Sequence, residues 1–106
     1  MFDDPRDCFE MQEQRRWKGL FEAVFEGGKF CPQPAADCYF EIHGKNTCLT
    51  FVDGTAPDVD LHPVERQLYR LEFDGRMTSR DGKFCHLGVS DRHIVVEKLI
   101  SFEPVD

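Results

Sequence analysis

The chain of 106 residues is predicted to fold as a small five-stranded antiparallel β-barrel with an OB-like strand order and a short N-terminal helix. Three observations predict this mainly-β class. Residues 68–78 alternate apolar and polar side chains, residues 93–102 do so less regularly, and a glycine-punctuated block at residues 82–88 separates them. Because a strand turns successive side chains to opposite faces, the alternation indicates a half-buried antiparallel ribbon that closes the domain.

The N-terminal quarter is predicted to hold one short helix and one strand. Asp7 followed by Glu10 has the form of a capping box, which predicts a helix over Cys8 to Arg16. Residues 17–25 fit either a helical stripe or one face of a strand. We predict a strand, because Gly19 disfavours a helix interior by about 1 kcal/mol and the rest of the chain is strand-like.

Turn-forming residues divide the remaining chain into short extended segments. Five strands with a short helix between the third and fourth is the order of an OB-type barrel, and closure would remove exposed strand edges. A lipocalin-like barrel or an open half-barrel is the alternative. The predicted strands are residues 17–25, 38–42, 47–52, 67–78 and 92–103, the second and third pairing as a hairpin, with a brief extended piece at 29–31 and at most one helical turn at 62–66.

Size and composition predict a single domain over residues 1–106. Charged residues make up 31% of the chain and hydrophobic residues 41%, which is typical of a globular protein. No apolar run approaches the ~20 residues that span a membrane, and the acidic start lacks the apolar core of a secretory signal. If the chain is complete, we therefore expect a soluble cytoplasmic protein.

The charge distribution suggests where a partner could bind. A net charge of −7 argues against a broad nucleic-acid surface. Residues 66–98 nevertheless carry seven basic and five acidic side chains, which makes the ribbon the only mildly positive region. This region is predicted either to be a solvated strand face or to contact an acidic partner or a small anion. The candidate binding residues are Arg70, Arg76, Arg80, Phe84, His86, Arg92 and His93.

A second candidate site consists of cysteines and a histidine that lie close in sequence. Four residues separate Cys38 from His43, and four more separate His43 from Cys48, as in the second half of a zinc knuckle. Cys31 lies seven residues before Cys38, however, where a knuckle has a tight Cys-x-x-Cys turn. Zinc bound by these four residues is therefore the alternative. The favoured interpretation has no cofactor, with Cys38 and Cys48 as small core residues facing each other across the hairpin.

The oxidation state of the cysteines is left open between two interpretations. The pairs Cys31–Cys38, Cys38–Cys48 or Cys8–Cys31 could form disulfides in an oxidising compartment. Five cysteines leave at least one unpaired, which is unusual in a secreted disulfide framework. Reduced thiols are therefore predicted.

These observations favour a non-enzymatic module that acts by contact with a protein partner or with itself. The chain has no Ser-centred nucleophile elbow, no Gly-rich phosphate loop before a helix and no His-Glu-x-x-His motif. A small-ligand or zinc-binding protein is the second hypothesis. Single-stranded nucleic-acid binding through exposed aromatic rings is the third hypothesis. The remaining hypothesis is an enzyme whose titratable side chains converge only when the chain is folded.

The C-terminal third also resembles a known group. The block Gly82 to Gly88 and the strand Ile94 to Ile100 resemble the end of small uncharacterised bacterial β-barrel proteins. Their pattern is Gly, aromatic, Gly-His-Leu-Gly, then a Val- and Ile-rich strand, and residues 17–32 look similar to their N-terminal strand. Cys85 stands where that pattern has a glycine. The resemblance implies a bacterial origin and a compact β-fold, and it brings no activity.

Overall fold

A computed structural model describes most of the chain, and its described part is mainly β. Five strands belong to one sheet: β1 (Arg15–Val24), β2 (Gly27–Pro32), β3 (Thr47–Phe51), β4 (Gln67–Met77) and β5 (Arg92–Pro104). The described residues are Arg6, 9–24, 27–33, Cys38, 46–52, 54–58, 67–85 and 90–105. The predicted strand at residues 38–42, apart from Cys38, and the predicted helical turn at 62–66 lie outside them. The choice of a strand for residues 17–25 is confirmed over residues 17–24.

The strands are hydrogen-bonded in the order β2-β1-β4-β5-β3. β1 pairs antiparallel with β2 and β4, and β4 pairs antiparallel with β5. β3 instead runs parallel to β5, with Thr47 opposite Arg92 and Phe51 opposite Val96. The prediction of a wholly antiparallel sheet is therefore wrong at β3. The alternation of apolar and polar residues shows which face of the sheet a side chain occupies. It does not show whether a neighbouring strand that is distant in sequence runs parallel or antiparallel.

The two ends of the sheet approach each other. β3 lies beside β2, with Cα atoms within 8 Å, although no ladder joins the two strands in the described residues. The sheet is therefore a nearly closed barrel. We call the line along which β2 and β3 face each other the seam.

The predicted ribbon of β4 and β5 is confirmed, and it carries two irregularities. The register shifts between Glu72 and Phe73 and again between Asp74 and Gly75. Glu97 and Ile100 of β5 are the unpaired extra residues at these shifts. Bulges of this kind bend a strand and increase its twist, which allows a five-stranded sheet to curl into a barrel.

Aromatic side chains fill the barrel. Phe73 is fully buried, and its ring lies 5.3 Å from that of Phe30 and edge-on to it. Trp17 packs beside Phe30, and its indole Nε1–H donates to the carbonyl of Gly75 over 3.1 Å. The apolar face expected of β4 is thus the interior face. The buried core cluster is Trp17, Phe21, Ala23, Phe30, Tyr69, Leu71, Phe73, Ile94 and Val96.

Two glycines allow the strands to approach closely. A Cβ at Gly75 would lie 2.2 Å from the carbonyl oxygen of Val95, and a Cβ at Gly19 would lie 2.3 Å from that of Cys31. Real Cβ atoms do not approach backbone oxygens so closely. The glycine that favoured a strand over a helix in the sequence thus has a packing role in β1.

The predicted N-terminal helix is not present in the described part of its range. Residues 9–14 are irregular, and β1 begins at Arg15. The amide of Gln12 donates to the Met77 carbonyl, and the amide of Ser79 donates to the Glu10 carbonyl. These bonds to the end of β4 satisfy backbone groups that a helix would otherwise pair internally. No helix in the described residues combines the length and the apolarity needed to cross a bilayer.

Candidate functional site: a disulfide–histidine cluster beside an open seam

A second layer of buried side chains covers the outside of β5. Ile94 and Val96 belong to the barrel interior, so alternation places His93 and Val95 on the outer face. Both are nevertheless buried. The connection between β4 and β5 provides part of this cover. We call the group formed here by Cys48, Thr50, Phe84, Cys85 and His93 the outer cluster.

Four cysteines form two disulfides, Cys31–Cys38 and Cys48–Cys85. The prediction of reduced thiols is therefore wrong for these four residues. The expected contact of Cys38 with Cys48 is also wrong, because each has another partner. Cys38 pairs within its own neighbourhood, whereas Cys48 pairs with a residue 37 positions away, a separation that local spacing could not reveal.

His93 lies opposite Cys48 in the parallel register of β3 and β5. Its Nε2 is 2.6 Å from the hydroxyl oxygen of Thr50, also on β3. Its backbone amide donates to the Thr78 hydroxyl over 3.1 Å. Burial lowers the pKa of His93 below its ordinary value, because desolvation penalises the charged imidazolium. Burial at this position therefore favours the neutral imidazole over the imidazolium.

Phe84 and Cys85 form the outer wall of the cluster. Phe84 is buried, and its ring lies 4.9 Å from that of Phe9 and 6.2 Å from that of His93. A β-bridge to Ser90 holds its backbone. Cys85 is solvent-exposed and has a φ of 63°, a left-handed conformation that glycine adopts far more readily. The disulfide thus joins an exposed cysteine to a buried one.

A cavity of about 290 Å³ opens at the seam, at the same end of the barrel. Residues 29–32 of β2 line one side, with Phe30 and Pro32 among them. Asn46 and Thr47 line the other side at the start of β3, and the β4–β5 connection with the start of β5 contributes Asp81, Asp91 and Arg92. Lys29 and Arg92 face two carboxylates, so the lining has no formal net charge.

Arg92 is held in place at the edge of this cavity. Its Nε donates to the Asp81 carboxylate, and its Nη1 donates to the Thr78 carbonyl over 2.9 Å. The same Thr78 contacts His93 through its backbone and hydroxyl. Arg92 and His93, adjacent on β5, therefore connect the seam cavity to the outer cluster.

The other candidate arginines lie outside this site. Arg76 forms an ion pair with Glu97 over 3.0 Å, and Arg80 lies 3.8 Å from Glu10 with 84% of its side chain exposed. Arg70 is exposed on β4. Partial burial works against ionisation of Glu97, but hydrogen bonds from Arg6 and Arg76 outweigh it and lower the pKa of this carboxyl. Arg76 and Arg80 thus have carboxylate neighbours.

The structure brings together residues from both predicted sites. Cys48, from the expected zinc set, joins Phe84 and His93 from the expected binding set, and Arg92 borders the same region. Cys31 and Cys38 form a separate disulfide, which keeps the expected zinc set from converging in this state. His43 and His86 lie outside the described residues.

Sequence reasoning missed Cys85, Thr50 and Asp81. A signal for Cys85 existed, because it stands where the resembled pattern has a glycine, and its backbone has the left-handed conformation of a glycine. No comparable signal points to Thr50, which is selected only by its position two residues after Cys48 on an outward strand face.

The fold and site define a small mixed β-barrel with two disulfides and a buried histidine beside one of them. No protein-family model matches the chain, and no curated protein or solved structure is significantly similar to it. The resemblance to small bacterial β-barrel proteins stays a prediction.

Proposed function

We propose that the protein is a non-enzymatic binding module that holds a segment of a protein partner at the seam. The seam cavity is the observation that carries this proposal. Its volume of about 290 Å³ lies at the lower limit of the ~300–1,000 Å³ typical of small-ligand pockets. A space of this size suits one large side chain of a partner. Deep pockets that receive a single anchoring side chain are where binding energy concentrates in protein interfaces.

The chemistry of the lining specifies the kind of segment that would fit. Pro32 offers exposed apolar surface and the buried Phe30 also borders the cavity, while Lys29 and Asp91 place opposite charges around it. An extended segment with one apolar anchor between charged residues of both signs complements this arrangement. The predicted surface of arginines is a weaker candidate, since Arg76 and Arg80 lie beside carboxylates.

The groups that could perform chemistry near the cavity are engaged in other interactions, which favours binding over catalysis. Cys31 and Cys48 are in disulfides, so neither offers a thiolate. His93 is buried against Thr50, and Arg92 is bonded to Asp81.

We also infer that the barrel is of the OB type. Because β3 returns to the side of β2, the neighbour order read around the barrel is β1-β2-β3-β5-β4, which is the order in OB-type barrels. Such barrels bind their ligands over the face of strands 2 and 3, where the seam lies. A net charge of −7 opposes single-stranded nucleic acid as the occupant, because phosphate binding depends on Lys and Arg.

We further infer that the chain matures in an oxidising compartment rather than in the cytoplasm first expected. Two disulfides among the described residues support this, since reducing systems keep most cytoplasmic thiols reduced.

Site-specific photo-crosslinking tests the proposed function. A photoreactive amino acid is placed at Lys29 or at Pro32 beside the cavity, and at Arg70 on the exposed face of β4 as the matched control. The chain is expressed in its own cells and irradiated. We expect both seam positions, but not Arg70, to yield the same dominant cross-linked protein.

The mass of the cross-linked product identifies the occupant. A product of twice the chain mass would replace the proposed partner by a second copy of this chain. Cross-linking from Arg70 as strong as from the seam, or no product from either seam position, would overturn the proposal.

A further inference from the structure

The outer cluster brings together three atoms that can bind a metal. The sulfurs of Cys48 and Cys85 and a ring nitrogen of His93 all lie within 4.8 Å of one another. Cys48 and His93 are register partners on adjacent strands, so the sheet itself fixes their spacing. Two thiolates and one imidazole form a ligand set that zinc uses, with water or another ligand in the fourth position.

We propose that reduction of the Cys48–Cys85 disulfide converts the outer cluster into a zinc site with Cys48, Cys85 and His93 as ligands. A dithiol reductant supplies two electrons and two protons, the S–S bond breaks to give two thiols, and the dithiol becomes a disulfide. Zinc then replaces the two thiol protons, which pass to solvent. In the reverse direction a disulfide oxidant accepts two electrons from the two thiolates and two protons from solvent and becomes a dithiol, the Cys48–Cys85 bond re-forms and zinc is released, so zinc occupancy reports the redox state.

The different exposure of the two cysteines supports this chemistry. Cys85 is exposed and Cys48 is buried, so a reductant reaches the bridge through Cys85. Tetrahedral zinc with Zn–S bonds of ~2.3 Å separates two sulfurs by roughly 3.8 Å. Two restraints act on the left-handed backbone of Cys85, the bridge to Cys48 and the neighbouring pairing of Phe84 with Ser90. Reduction removes the first of them, so Cys85 can then supply this movement.

Thr50 has the position of a supporting residue. Its hydroxyl lies 2.6 Å from Nε2 of His93, which leaves Nδ1 as the nitrogen available for the metal. Ligating histidines commonly have their second nitrogen held in this way, and the contact sets the orientation of the ring.

This site differs from the one expected from sequence spacing. It shares Cys48 with that set but replaces Cys31, Cys38 and His43 by Cys85 and His93. It does not rest on partner binding at the seam, since none of its three ligands lines the seam cavity.

Zinc titration of the whole chain tests the proposal. The protein is reduced with a phosphine, which avoids competition from dithiols for the metal, and zinc binding is measured against a chromogenic chelator without oxygen. Cobalt(II) replaces zinc in parallel, because a thiolate-to-cobalt charge-transfer band reports sulfur ligation. We expect one zinc per reduced chain and binding at least roughly 100-fold weaker in the oxidised chain.

The variants identify the ligands. Removal of even an outer partner costs roughly 10–100-fold in metal affinity, so Cys85→Ser and His93→Gln are expected to weaken binding by more than that. The matched control is the double variant Cys31→Ser/Cys38→Ser, which is expected to bind like the wild type. Because Cys85 is exposed, its variant tests the site even if His93→Gln does not fold.

Three results would overturn the proposal. They are a reduced wild type that binds no zinc, a Cys85→Ser variant that keeps wild-type affinity, and a Cys31→Ser/Cys38→Ser variant that loses binding. The last result would return the metal to the set expected from sequence spacing.

Discussion

His93 shows how one side chain can link the two parts of the site. It is buried, bonded to Thr50 through its ring and to Thr78 through its amide. Its neighbour Arg92 borders the seam cavity. Protonation of this ring would place a charge in a desolvated layer between β5 and its cover, where the described hydrogen-bond partner of the ring is the uncharged hydroxyl of Thr50.

We expect acid sensitivity that depends on His93. Its folded-state pKa lies below the ordinary 6.5, so between the two values the unfolded chain binds more protons than the folded chain. Stability is therefore full above the ordinary pKa and falls as the pH drops through it towards the folded value. The urea midpoint, measured from about pH 7 to about pH 5, should decrease more for wild type than for His93→Gln.

The comparison of the two chains isolates this histidine from other titrating groups. Asp74 is held at a lowered pKa by its hydrogen bond from Arg16, and Glu97 also has a lowered pKa, so both act at lower pH. Equal decreases for wild type and His93→Gln would show that His93 does not cause the acid sensitivity.

The ribbon of β4 and β5 is the element that shapes the barrel. Its bulges leave Glu97 and Ile100 unpaired, and Gly75 at the second register shift lets β5 approach β4. The Gly75 carbonyl also accepts the indole hydrogen bond of Trp17 on β1. Gly75 is therefore the position of β4 that combines a close backbone contact, an interior hydrogen bond and a bulge.

We expect Gly75→Ala to destabilise the protein by about 1–3 kcal/mol, the usual cost of overpacking. Its Cβ would lie 2.2 Å from the Val95 carbonyl oxygen, and backbone cannot move aside as a flexible side chain can. Arg70→Ala, on the exposed face of the same strand, should change stability by less than about 0.5 kcal/mol. Urea unfolding of both variants checks the difference, and equal stabilities would contradict the tight packing at Gly75.

The two disulfides are placed differently in the whole molecule. Cys31–Cys38 closes a separation of 7 residues, whereas Cys48–Cys85 closes one of 37 and joins β3 to the β4–β5 connection. The longer bridge therefore removes more conformational freedom from the unfolded chain. It also covers the outer face of β5, a face that alternation would otherwise expose.

We expect Cys48→Ala/Cys85→Ala to cost about 4 kcal/mol and Cys31→Ala/Cys38→Ala about 2 kcal/mol, from the loop-length dependence of disulfide stabilisation. Denaturant unfolding under non-reducing conditions measures both. The oxidised wild type, with five cysteines and two disulfides, should also release one titratable thiol per chain when unfolded. The reverse order of stabilities would contradict the loop-closure explanation.

Parts of this fold were predictable because they depend on residues that are close together in the sequence. The alternation of Tyr69, Leu71 and Phe73 with charged residues correctly placed their side chains in the interior. The same reasoning failed for the outer face of β5, where His93 and Val95 are as buried as the core. The periodicity of a strand shows which of its positions are apolar. It does not show whether a loop that is distant in sequence packs over the outer face of that strand.

The sequence by itself thus determined the mainly-β class, four of the five described strands in outline and the interior face of β4, because each depends on residues a few positions apart. It predicted β2 only as a brief extended piece. Only the tertiary structure decided the parallel pairing of β3 with β5, the partner of each cysteine and the meeting of Cys48, Cys85 and His93. These depend on segments tens of residues apart, and their juxtaposition follows from how the whole sheet curls.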